Sequence, residues 1–250
     1  MDLLIPLPNK VTYEKLKSNN EARLIIEPCF KGYGTTVGNA LRRVLLSSIP
    51  GAAVTAIKVK GVDHEFSTIP NVKEDLIEII LNFKQLRLKL HTDEEVRLKL
   101  EVSGEKEVTA SDIEDNPDVE IVNKDLKLFT TTDSKTKVEM EILVNKGVGY
   151  VPTEAREKEK TEVGMIAIDS IYTPIKNVGY KVENVRVGQM TNYEKVLIDI
   201  ETDGTLDPKE AVKYSANLLI NHFKLLIDDQ PKSEEQPMEE SLEQKVDEEE

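Results

Sequence analysis

Gly32-Tyr-Gly-Thr-Thr-Val-Gly-Asn-Ala-Leu-Arg-Arg-Val-Leu-Leu-Ser-Ser-Ile-Pro-Gly51 is the stretch whose pattern organises the rest of the chain. It predicts a glycine-hinged turn feeding a short helix over Val37–Ser48 that stops sharply at Pro50-Gly51. Gly32 and Gly34 allow backbone angles that a side chain forbids, and Thr35 or Thr36 can cap a helix start. At about 100° per residue, Val37, Ala40, Leu41, Val44 and Leu45 share one face. Asn39, Arg42, Arg43 and Leu46 take the opposite one. Isolated exposed leucines are ordinary, so one interpretation leaves Leu46 and the arginines solvated. The other makes theirs a second working face, since a guanidinium beside an aliphatic side chain suits the centre of a protein–protein interface.

Working outward on both sides, Glu21–Glu27 alternates as a strand and Val54–Lys60 is strand-like again. Pro70-Asn71 opens a second predicted helix running to about Leu86, with Asn71 and Glu74 spaced as in a capping box. Its apolar residues nearly encircle it: Val72, Leu76, Ile79, Ile80 and Phe83 on one side, Ile77 and Leu81 on the other, flanked by Glu78 and Lys84. Such a helix is either buried on both sides by its own domain or shared with a partner. Gln85 follows Lys84 with no glycine to loosen the junction, so the helix is expected to pass into Leu86–Leu90 without a hinge. Leu86–Leu90, Val96–Val102 and Val138–Val144 alternate with period two, as half-buried antiparallel strands do. Ser111–Asp118 is polar and turn-rich, and Ala155–Glu162 reads as a charged loop. A strand pair is expected at Val178–Val187 and Val196–Thr202, joined through Gly188–Tyr193.

Asp207-Pro-Lys-Glu210 is a helix start, with Asp207 as cap, Pro208 in the first turn and Glu210 placed for a capping box. The helix runs to about Asp228, roughly 30 Å at 1.5 Å per residue. Val212, Ser215, Ala216, Leu219, Phe223 and Leu226 form its stripe, widened by Leu218, Ile220, Leu225 and Ile227. That is more apolar surface than one sheet face usually covers. It serves either self-association or a fully buried helix.

The chain has 250 residues, 39% hydrophobic and 32% charged, enough for one or two domains with mainly aliphatic cores. Its formal net charge is −14, and residues 231–250 hold nine acidic and two basic residues, so half that charge sits in an aperiodic acidic tail. No long basic run marks a nucleic-acid surface. Cys29 is the single cysteine, which excludes an internal disulfide and fits a reducing compartment. Cys29 with the dispersed His64, His91 and His222 forms no visible metal cluster. Met1–Pro6 has neither the basic region nor the apolar core of a secretory signal, and no run reaches the ~18 to 20 apolar residues of a membrane helix. There is no nucleophile elbow and no phosphate loop. The Gly32, Gly34, Gly38 series has the wrong spacing for a phosphate cradle. The acidic residues are scattered over helix surfaces, turns and tail, rather than clustered as a Mg²⁺-dependent catalytic centre requires. The classes left open are a scaffold in a larger machine, an independent enzyme lacking any recognisable centre, and a homodimeric adaptor.

The opening stretch resembles, over its whole length, the first signature block of the bacterial RNA polymerase alpha subunit family, G-[FY]-G-x-T-[LV]-G-N-A-L-R-R-[IV]-L-L-S-S. The likeness continues in His64-Glu-Phe-Ser-Thr68, Val72–Lys84, Gly149-Tyr-Val-Pro-Thr153, Ile168–Pro174, Tyr180–Lys195 and Glu201–Pro208. What the resemblance implies is an α+β fold with a discontinuous dimerisation domain, 1–51 and 176–230, and an inserted β-rich domain, 52–175, ahead of the 231–250 tail. It implies a homodimer that recruits the beta subunit on one copy and beta-prime on the other, joined by omega and sigma in the holoenzyme. The expected dimer residues are Val37, Leu41, Val44, Leu45, Leu219, Phe223 and Leu226. Arg43 and Leu46 correspond to the family's beta contacts and Arg42 shares their face, while Glu78 and Lys84 occupy the second-helix surface expected to meet the large subunits. No catalytic, cofactor or metal residue is expected on this chain, with Mg²⁺ only in the large subunits. The resemblance further implies a cytoplasmic, or plastid stromal, protein away from membranes. The small upstream-DNA-binding domain usual in the family finds no room after Asp228, so sequence-specific DNA binding is not expected.

Overall fold

A computed structural model describes residues 5–62, 64–156, 162 and 164–227. The expected acidic tail at 231–250 and most of the charged loop at 157–161 lie outside the described residues. In chain order the elements are β1 (Lys10–Lys15), β2 (Glu21–Cys29), α1 (Tyr33–Ser48), β3 (Pro50–Val59), α2 (Leu76–Phe83), β4 (Leu88–Leu90), β5 (Val96–Ser103), β6 (Lys106–Thr109), β7 (Val119–Ile121) and β8 (Lys127–Thr131). They continue with β9 (Lys137–Val148), β10 (Tyr150–Val151), β11 (Met165–Ala167), β12 (Ser170–Ile171), β13 (Ile175–Val187), β14 (Met190–Thr202) and α3 (Pro208–Ile227). The fold is α+β. The chain divides into compact units at Met1–Ser215 and Ala216–Glu250, the break falling within α3.

Within the first unit, one antiparallel sheet runs β1-β2-β14-β13, built from segments on both sides of the sequence. Val196, Ile198 and Ile200 of β14 alternate into the core, and Leu24 and Ile26 of β2 are buried on the same face. On the other face Arg23 makes a two-toothed contact with Asp199 at 2.6 and 2.9 Å, and Glu27 takes Lys10 at 2.7 Å. Ile25, between Arg23 and Glu27 on this face, is buried, while the exposed ion pairs around it add little stability. A second sheet runs β5-β9-β3-β4-β7, with β11 on β3, and draws its strands only from 50–167. The near-perfect alternation of β5 buries Val96, Leu98, Leu100 and Val102. Opposite them lie Val138, Met140, Ile142 and Val144 of β9, and α2 closes the core with Leu76, Ile79 and Phe83.

The two sheets are joined without slack. α1 ends at Ser48, Ile49 is its buried C-cap, and β3 begins at Pro50. A Cβ at Gly51 would lie 1.9 Å from the carbonyl oxygen of Tyr172, so only glycine permits this crossing. Tyr172 donates its hydroxyl to Asn145 Oδ1 at 2.6 Å, and its ring covers Gly147.

Two expected helix starts are corrected. α1 begins at Tyr33 with Gly32 as N-cap at φ 86°, so Thr35 and Thr36 lie inside the helix and no side chain of its own caps it. Gly34 is likewise helical, and its missing Cβ serves close packing on Val182 and Val196 rather than a special backbone angle. α2 begins after Asp75, whose carboxylate accepts from Glu78 N at 2.7 Å. Asn71 instead turns the chain at φ 60°, and Glu74 accepts from the backbone and hydroxyl of Thr130 at 2.6 and 3.0 Å. The capping-box pattern was overridden because a buried carboxylate gained stronger partners on β8. Past α2, Gln85 N and Leu86 N bond back to Asn82 O and Phe83 O, and Arg87 N donates to Asn123 Oδ1 at 2.8 Å. The junction into β4 is thus fully hydrogen-bonded. At the start of α3, Lys209 N donates to Asp207 Oδ1 at 2.8 Å, as its sequence demands.

Candidate assembly interface

α1 presents three surfaces. Gly34, Gly38, Leu41 and Leu45 form the line buried against β13 and β14, where the Tyr180 ring lies over Gly38. Val37, Ala40 and Val44 form a half-buried apolar flank. Arg43 is exposed and Leu46 half-buried on the side turned away from the sheet.

This corrects part of the expected residue set. Leu41 and Leu45, expected in the dimer interface, are covered by their own chain at 7% and 0% exposure, so they have almost no area left to give a second copy. The periodicity found an apolar face, and the sheet beneath takes half of it. Arg42, expected beside Arg43, is half-buried and donates Nε to the carbonyl of Val178 at 3.1 Å. That hydrogen bond holds it against β13 rather than on the outward face. Arg43 and Leu46 remain as the outward pair.

α2 is buried on one side only. Ile77 and Leu81, one turn apart, stand exposed on the other beside Glu78. Lys84 closes the helix and is held within the chain: its Nζ lies 2.8 Å from Asp169 Oδ2, and Thr153 N donates to Asp169 Oδ1 at 3.0 Å. The ammonium, the Thr153 amide and the Tyr150 hydroxyl hold the Asp169 carboxyl down to about 2. Asp169 in turn pushes the Tyr150 hydroxyl above its ordinary value. Arg156 binds the carbonyls of Ile168 and Thr55, tying its own turn to β3 and to the residue before Asp169. Nothing in local spacing pointed to Asp169, whose partners lie up to 85 residues away.

α3 buries Pro208, Ala211, Val212 and Ser215 in its first two turns. Its later turns carry Leu219 half-buried and Ile220, Phe223, Leu225, Leu226 and Ile227 exposed, Leu226 at 80%. A run this apolar and this open is unusual for a monomer's surface. Among the described residues, no group of three His, Cys, Asp or Glu is placed to hold a metal ion.

Among the described residues, the α+β chain leaves apolar surface half-buried on α1 and exposed on α2 and α3. Residues 57–173 match the family described as RNA polymerase Rpb3/RpoA insert domain. The chain is 49% identical over 225 residues to the DNA-directed RNA polymerase subunit alpha of Desulforamulus reducens, covering 90% of this chain and 71% of that one. It is 48% identical over 218 residues to the subunit of the same name from Carboxydothermus hydrogenoformans, covering 87% and 69%. The chain belongs to the family of bacterial DNA-directed RNA polymerase alpha subunits.

Proposed function

We propose that this chain is the homodimeric scaffold on which an RNA polymerase assembles, taking the beta subunit on one copy and beta-prime on the other. It supports nucleotidyl transfer without supplying catalytic groups or a cofactor site. Mg²⁺ chemistry belongs to the large subunits, and omega and sigma join later. The observation that carries the reading is the division of labour on α1: the core line is satisfied, Arg42 is satisfied, and Arg43 with Leu46 points outward unpaired with the sheet. Beta docks on that pair. The flank Val37, Ala40 and Val44, and separately the exposed apolar side of α3, serve the second copy. An ordinary stable interface buries ~1,600 Å². Glu78 with Ile77 and Leu81 forms the α2 contribution to the large subunits, while Lys84 supports that surface through Asp169. The protein works in the cytoplasm, and among the described residues it has no helix long and apolar enough to cross a membrane.

Truncating a central interface arginine commonly costs ~2 kcal/mol or more, over an order of magnitude in affinity. Arg43→Ala/Leu46→Ala should therefore give a folded dimer that fails to bring beta into a complex on gel filtration. Normal recovery of the full polymerase removes this face from the mechanism. Loss of the dimer as well shows that the faces of α1 are assigned wrongly.

A further inference from the structure

The first N–H groups of any α-helix lack partners within it, and an N-cap side chain usually supplies one. α1 has glycine at that position, and Thr36 spends its hydroxyl on the Gly32 carbonyl at 3.3 Å. The missing acceptors come from 160 residues away. Glu194 Oε1 takes Gly32 N at 2.8 Å, and Oε2 takes Gly34 N at 2.9 Å. A Cβ at Gly34 would lie 2.6 Å from that second oxygen, so the carboxylate fills the space the glycine leaves. An anion there also meets the positive end of the helix dipole.

Two further features aim Glu194 at this point. The pairing of β14 with β2 shifts register between Glu194 and Val196, and such irregularities bend a strand and redirect a side chain. Beside it, Phe30 meets Tyr33 and Tyr193 edge-on, at centroid distances of 6.4 and 6.1 Å. The end of β2, the start of α1 and the turn of β14 are thus clasped at one corner. At the other end of the helix, buried Ile49 leads straight into β3.

We propose that Glu194 is a positioning residue for assembly, clamping the N-terminus of α1 so that Arg43 and Leu46 are presented at a fixed angle to the beta subunit. This rests on the scaffold reading above. With both ends held, the helix cannot roll on β13 and β14. With Glu194 removed, the first turn loses both acceptors while Arg42, Leu41 and Leu45 still hold the middle of the helix, so the outward pair loses part of its preorganisation.

The test uses the full chain as wild type, Glu194→Gln, Glu194→Ala and Arg43→Ala, reading amide exchange by mass spectrometry and capture of purified beta subunit. Glu194→Ala should speed exchange in the first turn of α1 roughly tenfold and weaken beta capture to a similar degree, with 138–144 of β9 and the sedimentation coefficient unchanged. Glu194→Gln, of the same size with one acceptor oxygen left, should fall between. Unchanged α1 exchange in Glu194→Ala overturns the clamp. Faster exchange with undiminished capture overturns the positioning role, while failure of Arg43→Ala to capture beta leaves the scaffold reading standing. Normal capture by Arg43→Ala overturns that reading, and with it the purpose assigned to Glu194.

Discussion

Replacing Asp169 by Asn removes one charge and almost no volume, at a point where three segments meet. The carboxylate holds Lys84 at the end of α2, the Thr153 amide and the Tyr150 hydroxyl. Its pKa falls from 3.8 to about 2, and at 1.36 kcal/mol per unit that is ~2.4 kcal/mol before screening. Asp169 and Lys84 are each about a quarter exposed, at 26% and 23%, so solvent reduces this to roughly 1 to 2 kcal/mol. The sign follows from a depressed carboxylate: the stabilisation is fully present above the unfolded value of 3.8 and is lost as pH falls through about 2. About half should be gone by pH 3. Urea unfolding of wild type and Asp169→Asn, from pH 7 down to pH 3, measures this directly. The gap between them should be roughly 1 to 2 kcal/mol at pH 7 and shrink toward pH 3. No gap at pH 7 refutes the argument, and so does a gap that stays constant with pH.

Leu45→Ala should cost about 3 kcal/mol, the cavity range for a fully buried leucine, whereas neighbouring Leu46→Ala should cost under about 1 kcal/mol; urea midpoints that reverse this order contradict the assignment of α1 faces. Gly51→Ala should lower stability by about 3 kcal/mol or abolish soluble expression, because the new methyl meets the Tyr172 backbone; a normal melting temperature would show the crossing to be slack. Phe223→Glu should convert the dimer to monomer in sedimentation at micromolar concentration, with unchanged far-ultraviolet circular dichroism, and a dimer of unaltered mass would exclude this face.

Elements whose cause is local were open to inspection of the sequence. Helix termination at Pro50-Gly51, the alternation of β5 and β9, the long hairpin around Gly188 and the Asp207-Pro208 start each depend on a few adjacent residues. What stayed hidden depends on distant partners. Asn71 and Glu74 have capping-box spacing, but nothing nearby announces that Thr130 will claim the Glu74 carboxylate. Thr35 and Thr36 look like caps only while Glu194 is out of view. β1 has too short an apolar alternation to declare itself before β2 is beside it. Leu41, Leu45, Phe223 and Leu226 all read as members of apolar faces, because periodicity shows that a face will be covered without showing whether the cover is the same chain. The outward pair Arg43 and Leu46 was visible as an anomaly in that periodicity, while the separation of Arg42 from it required the position of the Val178 carbonyl.

The crossing at Gly51 has a consequence for how such a chain can change over time. The strand that leaves the β1-β2-β14-β13 layer and the one that returns to it touch each other, Gly51 lying against Tyr172 and Pro174. To the host sheet, everything between is a loop whose two ends are already together. Closing a longer loop costs little more than closing a shorter one, about 0.6 kcal/mol for each doubling of length. Lengthening or shortening the intervening stretch therefore adds little closure cost to the host sheet, provided the glycine at the crossing is retained.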